Sequence, residues 1–243
     1  FGASQSVMSR LENDILGTSA GRQALDAMIT RSTDALLKKK NKKRLILDVD
    51  STEDPAHGNQ EQMAYNGHFR KNCFHPLYCF SGDGDGLAAK LRPGNVHSAN
   101  GTLDLIKPIV NRYRKKFKLF WLRGDSAFAD PDIYGYCEAN RITYFIRLRE
   151  NAVLTKLIRP HLQRPVGRPP KSGVQVKYVN LEYQAGSWER ARRVVAKIEW
   201  HFGELFPRYY FIVTNSRLAA SKVVKVYNGR GDVENRIKEG KNT

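Results

Sequence analysis

Three cysteines in 243 residues, Cys73, Cys79 and Cys137, are too few and too oddly numbered for a disulfide framework. None is spaced as CxxC, so the chain reads as one for a reducing compartment, without a cysteine-based metal knuckle. It has no run of 18 apolar residues, and with it no candidate membrane span. A charged-then-apolar leader with a cleavage site is also missing, and no internal repeat is visible. The chain begins at Phe1 and stops at Thr243 inside a charged helical pattern, so a fragment of a longer protein is expected. Acidic residues are scarce: 24 Asp and Glu stand against 41 Lys and Arg, a net charge of +17. Such an excess repels itself in the compact state, and a polyanionic partner would relieve it.

Apolar residues make up 41% of the chain, enough for a large domain or for a core with an insertion. Helical spacing over 7–38 predicts two helices, separated around Gly17 and Gly21. A basic linker at 38–44 leads into Arg44-Leu-Ile-Leu-Asp-Val-Asp50, whose composition fits a central strand. Further strands are expected at 73–80 and 86–92, joined by the Gly-Asp-Gly-Asp-Gly turn at 82–86. A helix over 101–117, a strand over 118–123, a helix from Asp130-Pro131 to about 140 and a strand over 143–148 follow. Three strands and then alternating helix and strand give a mixed α/β order that matches the ribonuclease-H-like fold. From about 150 to 206 basic and apolar residues alternate, which reads as a β-rich insertion. A strand at 208–214 and a helix from about 219 close the chain. The resulting division is an N-terminal helical segment (1–40), the first part of a core (41–150), the insertion (151–206), and the last strand and helix of the core (207–243).

Two of these strands end in aspartate. Side chains alternate along a strand, so Asp48 and Asp50 share one face and Leu47 and Val49 the other. Carboxylates at the end of an apolar central strand are costly to bury without a cation. Asp125 follows Leu119-Phe-Trp-Leu122 in the same manner. Ligand sites of open α/β sheets gather at the carboxyl ends of strands, so the pair proposes a metal site; helix capping or turn closure is the competing reading. In the last helix, at about 100° per residue, Tyr227, Arg230, Glu234 and Lys241 fall within an arc of about 60°, while Asp232 and Glu239 point away. Gly229 and Gly231 weaken the helix locally.

The spacing Tyr227-(2)-Arg230-(3)-Glu234-(6)-Lys241 resembles the Tyr-Arg-Glu-Lys signature of bacterial insertion-sequence transposases that carry an Asp-Asp-Glu (DDE) triad. Leu47-Asp-Val-Asp-Ser-Thr52 resembles the first-Asp segment of that triad, and alignment on Ser51-Thr52 favours Asp50 over Asp48. Arg123-Gly-Asp-Ser-Ala-Phe-Ala129 is similar to the second-Asp segment. The runs Lys90-Leu-Arg-Pro-Gly-Asn95, Phe211-Ile-Val-Thr-Asn215 and Glu234-Asn-Arg-Ile-Lys-Glu-Gly-Lys-Asn242 resemble the thirteen-eighty family of such transposases, DDE domain group one. The resemblance covers residues 8–243. It implies that Asp50, Asp125 and Glu234 are catalytic and hold two Mg²⁺ ions, replaceable by Mn²⁺, for hydrolysis and transesterification of DNA. It implies that Tyr227, Arg230 and Lys241, with Lys238, contact double-stranded DNA, both the element's terminal inverted repeats and the target. A homodimer that pairs two element ends, in a bacterial cytoplasm at the nucleoid and without a membrane role, completes the expectation. A ribonuclease-H-like nuclease or resolvase, or an inactive DNA-binding fragment, would share much of this pattern.

Other residues are weighed in the same way. Arg164-Pro-Val-Gly-Arg-Pro-Pro-Lys171 resembles an AT-hook centred on Arg168, or is a proline-stiffened basic loop. Trp188, among Arg190, Arg192 and Arg193, either stacks on a flipped base or belongs to the core, with Trp200 an equal rival. His57, His68, Cys73, His75 and Cys79 match no zinc spacing. The 82–86 turn lacks the spacing of a calcium loop. Ser51 and Ser126 have no evident partners for nucleophilic catalysis.

Overall fold

In the computed structural model, residues 2, 4–58, 60–164, 166–167, 173–231, 235 and 237 are described. Two N-terminal helical pieces open the chain: α1 (Gln5–Arg10), running into a π-helical stretch at Leu11–Leu16, and α2 (Ser19–Lys39). Thr18 caps α2, its hydroxyl accepting from Gly21 N–H at 3.0 Å.

An eight-stranded sheet follows. Its strands are β1 (Arg44–Ser51), β5 (Leu77–Ser81), β6 (Gly86–Lys90), β7 (Leu119–Gly124), β8 (Ile142–Leu148), β9 (Val174–Tyr183), β10 (Arg192–His201) and β11 (Arg208–Thr214), in the order β6-β5-β1-β7-β8-β11-β10-β9. β1 pairs antiparallel with β5 and parallel with β7, and β7 pairs parallel with β8. Helices α3 (Thr102–Tyr113) and α4 (Pro131–Ala139) make the crossovers that parallel pairing requires. A meander followed by two parallel strands added on the other side of β1 is the ribonuclease-H-like arrangement. The remaining strands extend the same sheet: β11 pairs antiparallel with β8, and the β9–β10 hairpin is laid on β11. The stretch at 151–206 thus contributes two strands to the main sheet, as well as α5 (Ala152–Ile158).

A second, three-stranded sheet is formed by β2 (Asp54–Pro55), β3 (Ala64–Asn66) and β4 (Lys71–Phe74), in the order β2-β4-β3. The single strand expected over 73–80 is therefore two, β4 and β5, in different sheets. The break falls at His75-Pro76, where proline offers no N–H to a ladder. The last regular helix, α6, is Ala220–Asn228, and turn backbone follows at Gly229 and Arg230.

Alternation along the strands sorts the two faces. Leu45, Leu47 and Val49 of β1, Leu122 of β7, Tyr144 and Ile146 of β8 and Val194, Ala196 and Ile198 of β10 join one large buried cluster with α3, α4 and α5. The opposite face carries Phe145, Val195 and Ile212, covered by Val223 and Val224 of α6. The acidic turn at 82–86 and the basic linker answer each other: Lys40 and Lys42 pair with Asp83, at 3.0 and 2.6 Å, and Lys40 also with Asp85. The three cysteines are buried and free. Among the described residues, no helix is long and apolar enough to cross a membrane.

Candidate active site

The β1–β7 register pairs Asp48 with Arg123. Asp50 and Asp125 therefore stand two residues further on, at the carboxyl ends of neighbouring strands and on the face that α6 covers. The two members of the Asp-x-Asp pattern have different surroundings. Asp48 is 1% exposed and held by a bidentate ion pair, with Arg123 Nε on Oδ1 and Nη2 on Oδ2, both at 2.5 Å. Arg123 also donates Nη1–H to the Val226 carbonyl of α6 at 2.7 Å, which ties the helix to the strand ends. Gly229 makes room for this: a Cβ there would stand 2.6 Å from Arg123 Nη1.

Asp50 meets a cation from far along the chain. Arg230 Nη2 lies 2.8 Å from its Oδ1 and also donates to the Val49 carbonyl at 3.2 Å. Ser51 N–H reaches the same carboxylate oxygen at 3.0 Å. Burial pushes the Asp50 carboxyl above its ordinary range; Arg230 opposes that rise and the charge of Asp125 adds to it. Asp125 caps the short 3₁₀ turn Ser126–Phe128, accepting from Ala127 N–H at 2.9 Å. The capping reading and the ligand reading thus apply to one side chain, through different lone pairs. Tyr227, on the last turn of α6, feels burial first and then the charges of Arg230, Arg147 and Asp125, and its hydroxyl is held above the usual range.

The structure accordingly brings Asp50, Asp125, Tyr227 and Arg230 together. Arg230 is 6% exposed and engaged with protein groups, rather than projecting to meet phosphate. Glu234, Lys238, Lys241 and Arg168 lie outside the described residues. No group of three or more His, Cys, Asp or Glu suited to a metal occurs among the described residues. The donors that are described near the strand ends are carboxylate oxygens, the type that Mg²⁺ and Mn²⁺ prefer. A buried carboxyl raised by desolvation and by a second carboxylate is one that a divalent cation would ionise.

Trp188 is buried at 6% exposure, edge-on to Tyr134 and Tyr183 at ring separations of 5.3 Å, with the Arg192 guanidinium 5.3 Å from its ring. Arg192 is in turn fixed by Glu138 at 2.9 Å. The arginines around Trp188 therefore build core structure, and the ring offers no open face. Trp200 is buried as well.

The sequence model of a family described as Transposase DDE domain group 1 matches residues 2–243. The chain belongs to this family. No curated protein matches it. Among solved structures, it is similar to a piggyBac transposase synaptic complex with hairpin DNA (15% identity, TM-score 0.49, 96% of this chain and 46% of that one). It is more distantly similar to Marinitoga piezophila Argonaute in complex with guide RNA and target DNA (8% identity, TM-score 0.31, 76% of this chain and 25% of that one). The chain thus spans less than half the length of either. As a DDE-family domain it carries its first two aspartates where the family name requires acids. Sequence reasoning missed the Asp48–Arg123–Val226 tie and the Arg230–Asp50 pair. The one advance signal was the Asp-x-Asp alternation, which puts two carboxylates on a single face.

Proposed function

We propose that this chain is the catalytic part of a DNA transposase that cuts element ends and joins them to target DNA, with Asp50, Asp125 and Glu234 as its acidic triad. The observation that supports this best is the meeting of Asp50 and Asp125 at adjacent strand ends, with Arg230 brought onto Asp50, in a chain of the DDE family. These carboxylates would hold two divalent cations, Mg²⁺ or Mn²⁺, which when bound would stabilise charge on the attacking and leaving oxygens.

The chain's own groups orient that site. Arg230 keeps positive charge beside Asp50 and fixes the carboxylate's rotamer. The Asp48–Arg123 pair sets the height of α6 over the strand ends, and with it the position from which the Glu234 segment continues. Tyr227 stands at the rim to contact the terminal nucleotide, with Lys238 and Lys241 as phosphate partners. Water would first attack a phosphate at the element end and release a 3′-hydroxyl. That hydroxyl would then attack a target phosphate in the same site. In this reading 41–150 and 207–243 form the core and 151–206 the insertion, and the working enzyme is a dimer on two DNA ends in the bacterial cytoplasm.

The test is strand transfer by a longer chain on a matched element end, with Mg²⁺. Asp50→Ala, Asp125→Ala and Glu234→Ala should each abolish joining and leave DNA binding largely intact. Normal joining by Glu234→Ala would defeat the triad, and cutting without joining would point to a nuclease instead.

A further inference from the structure

Beside Asp125, on the side away from the β9–β10 hairpin, a pocket of about 560 Å³ opens, within the roughly 300–1,000 Å³ range of small-molecule sites. Ser51 and Asp125 form its floor. One wall is the turn after β3, with Tyr65, His68 and Phe69; another is the 95–98 loop, with His97; Arg149 closes the third side. Asp125 is the one carboxylate in this lining.

Both walls are loops, yet three buried polar side chains hold them. Asn66 accepts from His68 N–H and Phe69 N–H at 2.9 and 3.1 Å and donates to the Gly94 carbonyl at 2.5 Å. Arg92, 5% exposed, donates to the carbonyls of His75, His97, Ser98 and Asn100 at 2.5–3.3 Å. His75 Nδ1 lies 3.0 Å from the Val96 carbonyl. Gly94 completes the join, since a Cβ there would run into the backbone carbonyls of Cys73 and Ala64. Burying an arginine to satisfy loop carbonyls is costly, and what it secures is a fixed spacing between the two walls.

The chemistry of the lining is aromatic and cationic. His68 and Phe69 meet edge to face at 4.9 Å, Phe69 and His75 at 5.9 Å, and Tyr65 is 61% exposed. Rings that can stack on a base, amide and imidazole groups that can bond its edge, and a guanidinium for phosphate make a nucleotide site. We infer that this pocket takes one nucleotide swung out of the DNA stack, next to the phosphate held at Asp50 and Asp125. The inference rests on the transposase reading and replaces Trp188, whose ring is buried, with Tyr65 and the His68–Phe69 edge as the stacking surface.

The test places 2-aminopurine at successive positions around the scissile phosphate, on the element strand in one series and the target strand in the other, with the full chain and Mg²⁺. One position in one series should change its fluorescence on binding, which identifies the strand. Tyr65→Ala and His68→Ala should weaken that signal about tenfold in apparent affinity, the scale of a lost stacking contact, while Trp188→Phe leaves it unchanged. Wild-type chain that binds and joins DNA with no such signal, or with a signal that survives both pocket variants, overturns the pocket and leaves the transposase reading standing. Wild-type chain that neither binds nor cuts DNA overturns both.

Discussion

The two faces of the large sheet are built on opposite terms. One is continuous hydrocarbon, with Leu47, Val49, Leu122 and Ile146 under three helices. The other has, among the described residues, five buried apolar side chains under α6, next to a fully buried Asp48–Arg123 pair and the Asp50–Arg230 pair. Stability resides in the first face and electrostatics in the second. Burial of apolar area is nondirectional, whereas carboxylates at strand ends must be held by named partners at fixed distances. The thin face can therefore present charge at the strand ends because the thick face supplies the free energy of folding.

Substitutions on the two faces should separate activity from stability. The largest effect expected is on joining by Asp50→Asn, a loss of at least about 10³-fold, the scale of removing a main transition-state stabiliser. Its melting temperature should change little, because the replacement keeps shape and relieves the burial of charge. Leu47→Ala, one residue from Asp48 but facing the other way, should do the converse and cost about 2–5 kcal/mol in denaturant titration. If Asp50→Asn unfolds the chain or Leu47→Ala is silent, the division of labour between the faces fails.

Next in size is the buried ion pair. Asp48→Ala or Arg123→Ala should cost about 3–5 kcal/mol, because one charge stays behind in the interior. Asp48→Leu combined with Arg123→Met should recover most of that in chemical denaturation. The double variant should still show faster amide exchange in α6, since the bond to the Val226 carbonyl is gone. Slow exchange there would mean that α6 is held by its apolar face alone. In the wild type, α6 amides should exchange before those of β7 and β8, as the smaller buried cluster implies.

The smallest effect is a pH dependence on the thick side. Burial raises the Glu138 carboxyl, but bonds from Arg192, Arg190 and Tyr144 outweigh it and bring it down to about 2. A depressed carboxyl stabilises the fold above its unfolded value, near 4.5, and loses that contribution as pH falls towards 2. The stability gap between wild type and Glu138→Gln should thus be full at pH 6 and shrink steadily below about 4.5. A gap independent of pH would mean that the charge on Glu138 contributes nothing.

The chain itself carried a good part of this. The apolar alternation of β1, the Asp130-Pro131 helix start and the turn at 82–86 were legible because local chemistry decides them. Asp50 and Asp125 were legible as candidates because carboxylates are rarely placed at the ends of apolar strands. Packing alone assigned Asp48 to Arg123 and Asp50 to Arg230, since a bidentate pair depends on which strands become neighbours. The same cause turned Trp188 from a candidate base-stacker into core: nothing local shows that Tyr134, Tyr183 and Arg192 enclose it. The pocket beside Asp125 was invisible for the same reason, its walls coming from two loops joined through Asn66 and Arg92. Sequence determined which residues could carry charge at the end of a strand. Tertiary structure decided which of those charges are locked and which stand at the rim, because pairing energies in a low-dielectric interior depend on distances that only the folded chain sets.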